Sequence, residues 1–286
     1  MEKFWTIIDT IREQLGAWIS KVSILLLLSF LFFIAVGGVS HNVKWQITRV
    51  NITGERTVSE DVVRSLVRQR LEGNYFFVYA RDNSHLFAKT EIEQMLRETF
   101  PRLENVSVDR IDDHALSISL SERKPYALWC GAEFITLAEH TKDCWFIDED
   151  GFVFDHSPIF SDGVYMEVYG KLIEKNMGKP LRGTLSRERF TKANSFLKLI
   201  REQVGEPMRI GLIENNEIEI IVHTSIKYPF LNDVTLRLKD ESDSAGLIKN
   251  LLSAIPVQFP DNIALKKKLL YVDMRFGNKV IFGFEN

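Results

Sequence analysis

Length, composition and charge place this 286-residue chain among ordinary globular proteins. Apolar residues make up 45% of it and charged residues 26%, which excludes a disordered or fibrous chain. The net charge of −3 gives no basic excess that would indicate binding to nucleic acid. Two cysteines exclude a disulfide-rich scaffold but allow one bridge. The length allows one or two domains besides any membrane segment.

One apolar stretch near the N-terminus is long enough to cross a bilayer. Residues 22–39 read VSILLLLSFLFFIAVGGV, and no charged residue lies between Lys21 and Lys44. A helix of this length spans roughly 27 Å, close to the thickness of the hydrocarbon core. We predict a single-pass anchor with residues 1–21 in the cytoplasm, because long folded domains cross largely regardless of charge. A cleaved signal peptide is the alternative, since Ala35–Gly37 could imitate its cleavage site.

The residues that follow predict a small α+β module over residues 40–123. An alternating strand at Ile47–Ile52 ends at Gly54, and Ser59 then begins an amphipathic helix. A second helical pattern lies within 84–99, and two short strands come after it. The predicted order is β-α-α-β-β.

Residues 124–286 predict a second domain built on strands. Strands follow at short intervals from Tyr126 onward, with helices expected over 187–204 and 245–255. The last two predicted strands are Leu269–Phe276 and Lys279–Phe284. This pattern predicts an antiparallel-sheet β domain with flanking helices, so the fold class of the whole chain is α+β.

Several short motifs follow one another in a fixed order along the chain. They are Val50-x-Ile52-x-Gly54, Phe100-Pro101, Leu116-x-Ile118-x-Leu120 leading into Glu122-Arg123-Lys124-Pro125, Ile147-Asp148-x-x-Gly151, and Tyr271-Val272-Asp273-Met274-Arg275-Phe276. Their order and spacing resemble the FtsQ/DivIB family of bacterial cell-division proteins. The resemblance implies a cytoplasmic tail, one membrane helix, a POTRA-like domain over 40–123 and a β domain over 124–286. The stretches Gly131–Asp143 and Gly170–Leu185 depart from the family pattern.

The resemblance also implies a function. A protein of this family is a bitopic scaffold of the division machinery, which recruits and links septal proteins through its extracytoplasmic domains. The implied partners are small bitopic proteins of the FtsB/DivIC and FtsL types, and the implied location is the cytoplasmic membrane at the division septum. No enzyme activity, cofactor or small-molecule substrate is implied.

The last hairpin is the expected partner-binding site. By the resemblance, Tyr271, Gly283 and Phe284 line up with family positions at the contact. The predicted site also includes Asp273, Arg275 and Phe282. The sequence ends two residues after Phe284, so we expect the final strand to lie at an open sheet edge, where a partner strand could pair by β-augmentation. Phe284 is the expected aromatic anchor. The alternative is that Phe284 packs against its own sheet.

A pair of strands around the two cysteines predicts a disulfide. If Tyr126–Cys130 pairs with Cys144–Asp148 so that paired numbers add to 274, Cys130 faces Cys144 and Trp129 faces Trp145. A bridge there would require the domain to lie outside the cytoplasm. Two buried free thiols are the alternative.

No constellation in the sequence predicts catalysis. Asp148–Gly151 could begin a calcium loop, but the remaining ligand positions are missing, and Asp-Gly between apolar runs indicates a turn in which Gly151 needs a positive φ. Cys130, His140, Cys144 and His156 could bind zinc, but their spacing matches no compact zinc finger. We therefore expect alanine at Asp148, Asp150 or His140 to be tolerated. A POTRA-bearing secretion or assembly factor and a membrane-tethered cell-wall enzyme are the alternative functions.

Overall fold

The structure, a computed structural model, describes residues 2–54, 57–134, 143–161, 163–176, 182–240, 243–260 and 267–285. The chain divides into two compact units, residues 1–122 and residues 123–286. Both units combine helices with sheets, which makes the fold mixed α+β. His140 lies outside the described residues.

The first unit begins with a long apolar helix, α1 (Glu2–Ser40). Its segment Trp18–Ser40 is long and apolar enough to cross a membrane, and nearly all of its described side chains are exposed. This segment contains the span predicted from the sequence. The helix continues without a break through the residues that precede the apolar stretch.

A three-stranded sheet and two helices form the rest of the first unit. The elements are β1 (Arg49–Thr53), α2 (Glu60–Leu71), β2 (Asn74–Tyr75), β3 (Tyr79–Ala80), α3 (Lys89–Thr99), β4 (Leu103–Asp112) and β5 (Ala115–Glu122). The sheet order is β1-β5-β4, with β1 parallel to β5. Apolar residues at helical spacing on α2 and α3, such as Val67 and Leu96, are fully buried with Val108 and Ile118 of the strands. The β2–β3 hairpin between the helices was not predicted.

The second unit is built on one large sheet. Its elements are β6 (Ala127–Trp129), β7 (Trp145–Ile147), β8 (Phe152–His156), β9 (Glu167–Gly170), β10 (Glu174–Asn176), β11 (Arg182–Thr184), α4 (Arg187–Gln203), β12 (Glu206–Ile213), β13 (Glu217–Thr224), β14 (Val234–Lys239), α5 (Ser244–Gln258), β15 (Leu269–Phe276) and β16 (Lys279–Phe284). Among the described strands the order is β10-β11-β8-β7-β6-β9-β12-β13-β14-β15-β16.

The predicted antiparallel sheet is found only in part. The pairs β6–β9, β9–β12 and β14–β15 are parallel. A parallel pair needs a crossover connection, because the chain must return to the same end of the sheet before the second strand. Helix α4 lies in the connection from β9 to β12, and α5 lies in the connection from β14 to β15. These two helices are therefore crossovers.

The two faces of the large sheet are covered differently. Helices α4 and α5 pack on one face, where Phe196, Leu251 and Val272 are buried together. On the opposite face, alternate residues of the first strands form a smaller buried cluster that contains Phe146, Tyr169 and both cysteines. Strands β12 to β15 carry charged side chains on that opposite face, which we call the polar face.

Candidate functional site

Strand β16 forms one end of the large sheet. Among the strands that the structure describes it pairs with β15 alone, and the opposed residues are Tyr271 with Gly283, Val272 with Phe282, and Asp273 with Ile281. The backbone amide of Glu285 donates to the carbonyl oxygen of Lys268 at 2.9 Å. Because amide direction alternates along a strand, the amides of Phe284, Phe282 and Val280 point away from β15. This outer edge could accept another strand.

The two phenylalanines of β16 lie on the helix-covered face. Both are half-buried, and the ring of Phe259, at the end of α5, contacts them nearly edge-on, at centroid distances of 5.2 Å from Phe282 and 6.3 Å from Phe284. The ring of Phe230 lies 4.4 Å from that of Phe259 and extends the cluster. Phe284 therefore packs against its own sheet, and its role as a partner anchor stays a prediction.

Tyr271 and Gly283 meet on the polar face. A Cβ atom at position 283 would lie 2.3 Å from the Tyr271 ring, so the ring rests directly on the glycine backbone. The guanidinium carbon of Arg237 lies 4.5 Å from the centroid of the same ring, which is a cation–π contact. Glycine at 283 thus allows Tyr271 to lie flat between the edge strand and Arg237.

Asp273 and Arg275 form an ion pair next to this ring. The guanidinium of Arg275 donates to both carboxylate oxygens of Asp273, at 2.9 and 2.6 Å, and to Glu217 at 2.7 Å. Burial alone would raise the pKa of Asp273, but hydrogen bonds from the side chain and backbone of Arg275 bring that pKa below its ordinary value. The hydrogen bond to Asp273 in turn raises the pKa of Arg275. Both groups are therefore charged at neutral pH.

Further ion pairs continue across the polar face. Arg237 lies 3.0 Å from Glu219, and the nearly buried Arg209 lies 2.7 Å from Glu167. Each of these guanidinium groups contacts a carboxylate of a neighbouring strand. The polar face therefore presents paired positive and negative charges, and the Arg209–Glu167 pair is also hydrogen-bonded through Arg209 Nε.

The structure separates the six predicted site residues into two groups. Tyr271, Asp273, Arg275 and Gly283 lie on the polar face, whereas Phe282 and Phe284 lie on the helix-covered face. Ile281 shares the polar face with the first group, is 44% exposed and was not predicted. The alternation along β16 could have identified it, because Ile281 must face away from Phe282.

The cysteine hairpin has the predicted register. Ala127 pairs with Ile147, Leu128 with Phe146, and Trp129 with Trp145. Cys130 and Cys144 form a disulfide, with Cα atoms 4.3 Å apart, as is typical of a pair that exchanges no backbone hydrogen bonds. The bridge leaves neither sulfur free to bind zinc.

Asp148 holds the turn that follows this hairpin. One of its carboxylate oxygens accepts hydrogen bonds from the amides of Asp150 and Phe152, and the other accepts from Arg123 at 2.6 Å. The residue is only 8% exposed, so Asp148 is not an exposed turn carboxylate, and the tolerance of alanine there stays a prediction that loses this argument. Gly151 has a φ of +84°, as predicted for this turn.

The described part of the chain contains no candidate metal site. There, no three side chains of His, Cys, Asp or Glu are close enough together to hold a metal ion. An open cavity of about 470 Å³ lies in the first unit, lined by residues of both charges that include His41, Arg68, Glu72 and Asp82. These groups are not arranged as a nucleophile with a base.

Comparison with known proteins assigns neither a family nor a function to the chain. No protein-family model matches the chain, and no curated protein matches it. The case for a function therefore depends on the residues and the geometry described above.

Proposed function

We propose that this chain is a membrane-anchored scaffold of the bacterial division machinery, of the FtsQ/DivIB type, and that it binds a small bitopic partner at the edge of β16. The observation that carries the proposal is the outer edge of β16, whose amides at 280, 282 and 284 point away from the sheet. Backbone groups at such an edge give affinity to an added strand, and neighbouring side chains select its sequence.

The order of elements in the first unit supports the family assignment. Two helices lie between β1 and the antiparallel pair β4–β5, as in the β-α-α-β-β order expected of a POTRA-like domain, and the β2–β3 hairpin is an addition between these helices. The apolar helix α1 precedes this module, as in a single-pass protein whose folded part lies on one side of the membrane. The Cys130–Cys144 disulfide supports a location of the second unit outside the cytoplasm, where such bonds persist.

The polar face supports a role in recognition. Tyr271 and Ile281 are partly exposed there beside the Asp273–Arg275 pair, close to the edge at which a partner strand would add. A partner strand would be bound through its backbone by β16, and its side chains would meet an aromatic ring, an aliphatic residue and fixed charges. Aromatic residues and arginine are the types that contribute most to binding energy at interfaces.

The proposal is tested by a matched pair of substitutions at one position. Val280→Ala and Val280→Pro both remove the valine side chain, but proline also removes the outward amide. Proline is tolerated at an edge strand when its nitrogen faces solvent, so both variants should fold. We expect the full-length Val280→Ala protein to co-purify with the partner and the Val280→Pro protein to lose it. Equal recovery of the partner with both variants would contradict strand addition at this edge.

A further inference from the structure

The β2–β3 hairpin of the first unit packs against the membrane helix. Its turn is closed by a hydrogen bond from the Val78 amide to the Tyr75 carbonyl oxygen at 3.0 Å. The hydroxyl of Tyr79 donates to the carbonyl oxygen of Phe33 at 3.1 Å, and the two rings meet edge-on with centroids 4.9 Å apart. A polar group and an aromatic ring of the hairpin therefore contact α1 inside its apolar segment.

Further contacts continue to the end of α1. A Cβ atom at Gly37 would lie 2.0 Å from Val78 Cγ1, so only glycine allows this approach. The amide of Ala80 donates to Ser40 Oγ at 2.9 Å, and His41 Nε2 lies 3.0 Å from the Val78 carbonyl oxygen. The hairpin is thus held along roughly the last two turns of the helix.

These contacts lie at membrane depth if α1 crosses a bilayer. The charge-free stretch begins after Lys21, and the helix from Lys21 to Ser40 is roughly 29 Å long, which matches the hydrocarbon core. Phe33 and Gly37 are therefore about 10 and 4 Å below the end of the helix, measured along its axis. A hairpin that contacts these residues therefore also contacts the lipid.

Two solvent-exposed phenylalanines form the tip of the hairpin. Phe76 is 78% exposed and Phe77 is 98% exposed. Their φ angles are +48° and +65°, in the left-handed region that bulky side chains rarely adopt. A turn of this kind favours Asn-Gly. The turn geometry gives no reason for two phenylalanines at these positions. Burial of their rings in an apolar environment gives one.

We propose that the β2–β3 hairpin enters the same bilayer as α1, with the rings of Phe76 and Phe77 among the lipid chains near the headgroups. Phenylalanine is among the apolar residues that are buried at the boundary between headgroups and acyl chains when an amphipathic element lies on a membrane. This inference does not depend on the partner-binding proposal. It depends on α1 as a membrane span. The bilayer then contacts the first unit at two elements, α1 and the β2–β3 hairpin. The unit therefore cannot rotate freely about the end of α1.

The depth of residue 77 tests the inference directly. The full chain carrying Phe77→Cys and a nitroxide label is reconstituted into vesicles of phosphatidylcholine and phosphatidylglycerol, and the collision rates of the label with oxygen and with a water-soluble nickel chelate are measured. The matched control is Val62→Cys, an exposed apolar position in the first turn of α2. We expect the label at 77 to favour oxygen by several-fold relative to the label at 62. Equal nickel accessibility at both positions would overturn the inference.

A second pair of variants tests the contact with α1. Gly37→Leu places a side chain against Val78, whereas Gly38→Leu meets no atom within 4 Å of its Cβ. In the labelled Phe77→Cys chain, Gly37→Leu should raise nickel accessibility several-fold, and Gly38→Leu should leave it unchanged. Spin–spin broadening at 77 would show that a second copy covers the tip, and would overturn the lipid assignment. A label that stays in water in these vesicles, which hold no other protein, would also overturn it.

Discussion

Replacing Asp148 should destabilise the second unit far more than a surface substitution does. Its carboxylate accepts three hydrogen bonds, two from backbone amides and one from Arg123, and its side chain is only 11% exposed. A hydrogen bond to a charged group contributes about 1.5–3 kcal/mol, and water can replace part of this once the carboxylate is gone. We therefore expect Asp148→Ala to lower the free energy of unfolding by about 3 kcal/mol, which is roughly a 150-fold change in the unfolding equilibrium.

Two further variants separate the parts of this effect. Asp148→Asn keeps an oxygen that accepts from the two backbone amides but loses the negative charge opposite Arg123. We therefore expect about half of the destabilisation caused by Asp148→Ala. Asp150→Ala removes one ion pair to Arg187 in which both side chains are more than half exposed, so its effect should stay below about 0.5 kcal/mol.

Hydrogen exchange of peptides from β7 and β8, measured by mass spectrometry on the full chain in detergent, reports the effect locally. The expected order of destabilisation is Asp148→Ala, then Asp148→Asn, then Asp150→Ala. If Asp148→Ala changes protection no more than Asp150→Ala, then the turn is not held by this carboxylate and our reasoning is wrong.

Three more predictions concern the disulfide and the polar face. Replacing Cys130 and Cys144 together by serine should lower the free energy of unfolding by about 3 kcal/mol, as expected for a loop closed across 14 residues. Equal denaturant unfolding curves for the protein with and without the bridge would contradict this. The pKa of Asp273 is lower in the folded chain than its unfolded value of about 3.9, so its carboxylate stabilises the fold above that pH and this stabilisation is lost as the pH falls through the folded pKa. The stability difference between the wild type and Asp273→Asn should thus be constant above about pH 5 and shrink below about pH 4, whereas a difference independent of pH would argue against the shift. Gly283→Ala should cost about 1 kcal/mol by displacing the Tyr271 ring, and a double-mutant cycle should show that most of this cost disappears in a Tyr271→Ala background.

The apolar helix α1 and the cysteine hairpin could be predicted from the sequence because each depends on a local pattern. A long apolar stretch without charged residues is compatible with a membrane span or a protein core and with little else. Two tryptophans and two cysteines at mirrored positions around a loop favour a single register, and the structure has that register. The positive φ of Gly151 follows in the same way from its place in the turn.

The parallel strand pairs could not be predicted because strand direction depends on where the chain crosses over. The strand pattern is the same for β9 and β12 whether they run parallel or antiparallel, and α4 between them settles the direction only once it packs on the sheet. The β2–β3 hairpin was missed for a different reason. Its strands have two residues each, and its turn consists of Phe76 and Phe77 instead of glycine and asparagine.

The edge position of β16 could be predicted, but the faces on which its side chains and those of β15 lie could not. The sequence pointed to the last hairpin, and β16 does lie at the end of the sheet in the described part of the chain. It did not reveal that Phe282 and Phe284 face the helices while Tyr271 and Asp273 face away from them. The hydrogen bond from Arg123 to Asp148 was also missed, because these two residues are 25 positions apart in the sequence.

The position of a fluorescent fusion in dividing cells tests the proposal that the chain acts at the division septum. The fusion should carry the reporter at the N-terminus, which the proposed topology keeps in the cytoplasm, and should replace the native protein in the organism that encodes it. We expect a band at midcell that appears before constriction, and a weaker band for the Val280→Pro variant if partner binding helps to retain the protein there. Uniform labelling of the envelope at all stages of division would contradict the proposal and would favour a secretion or assembly factor instead.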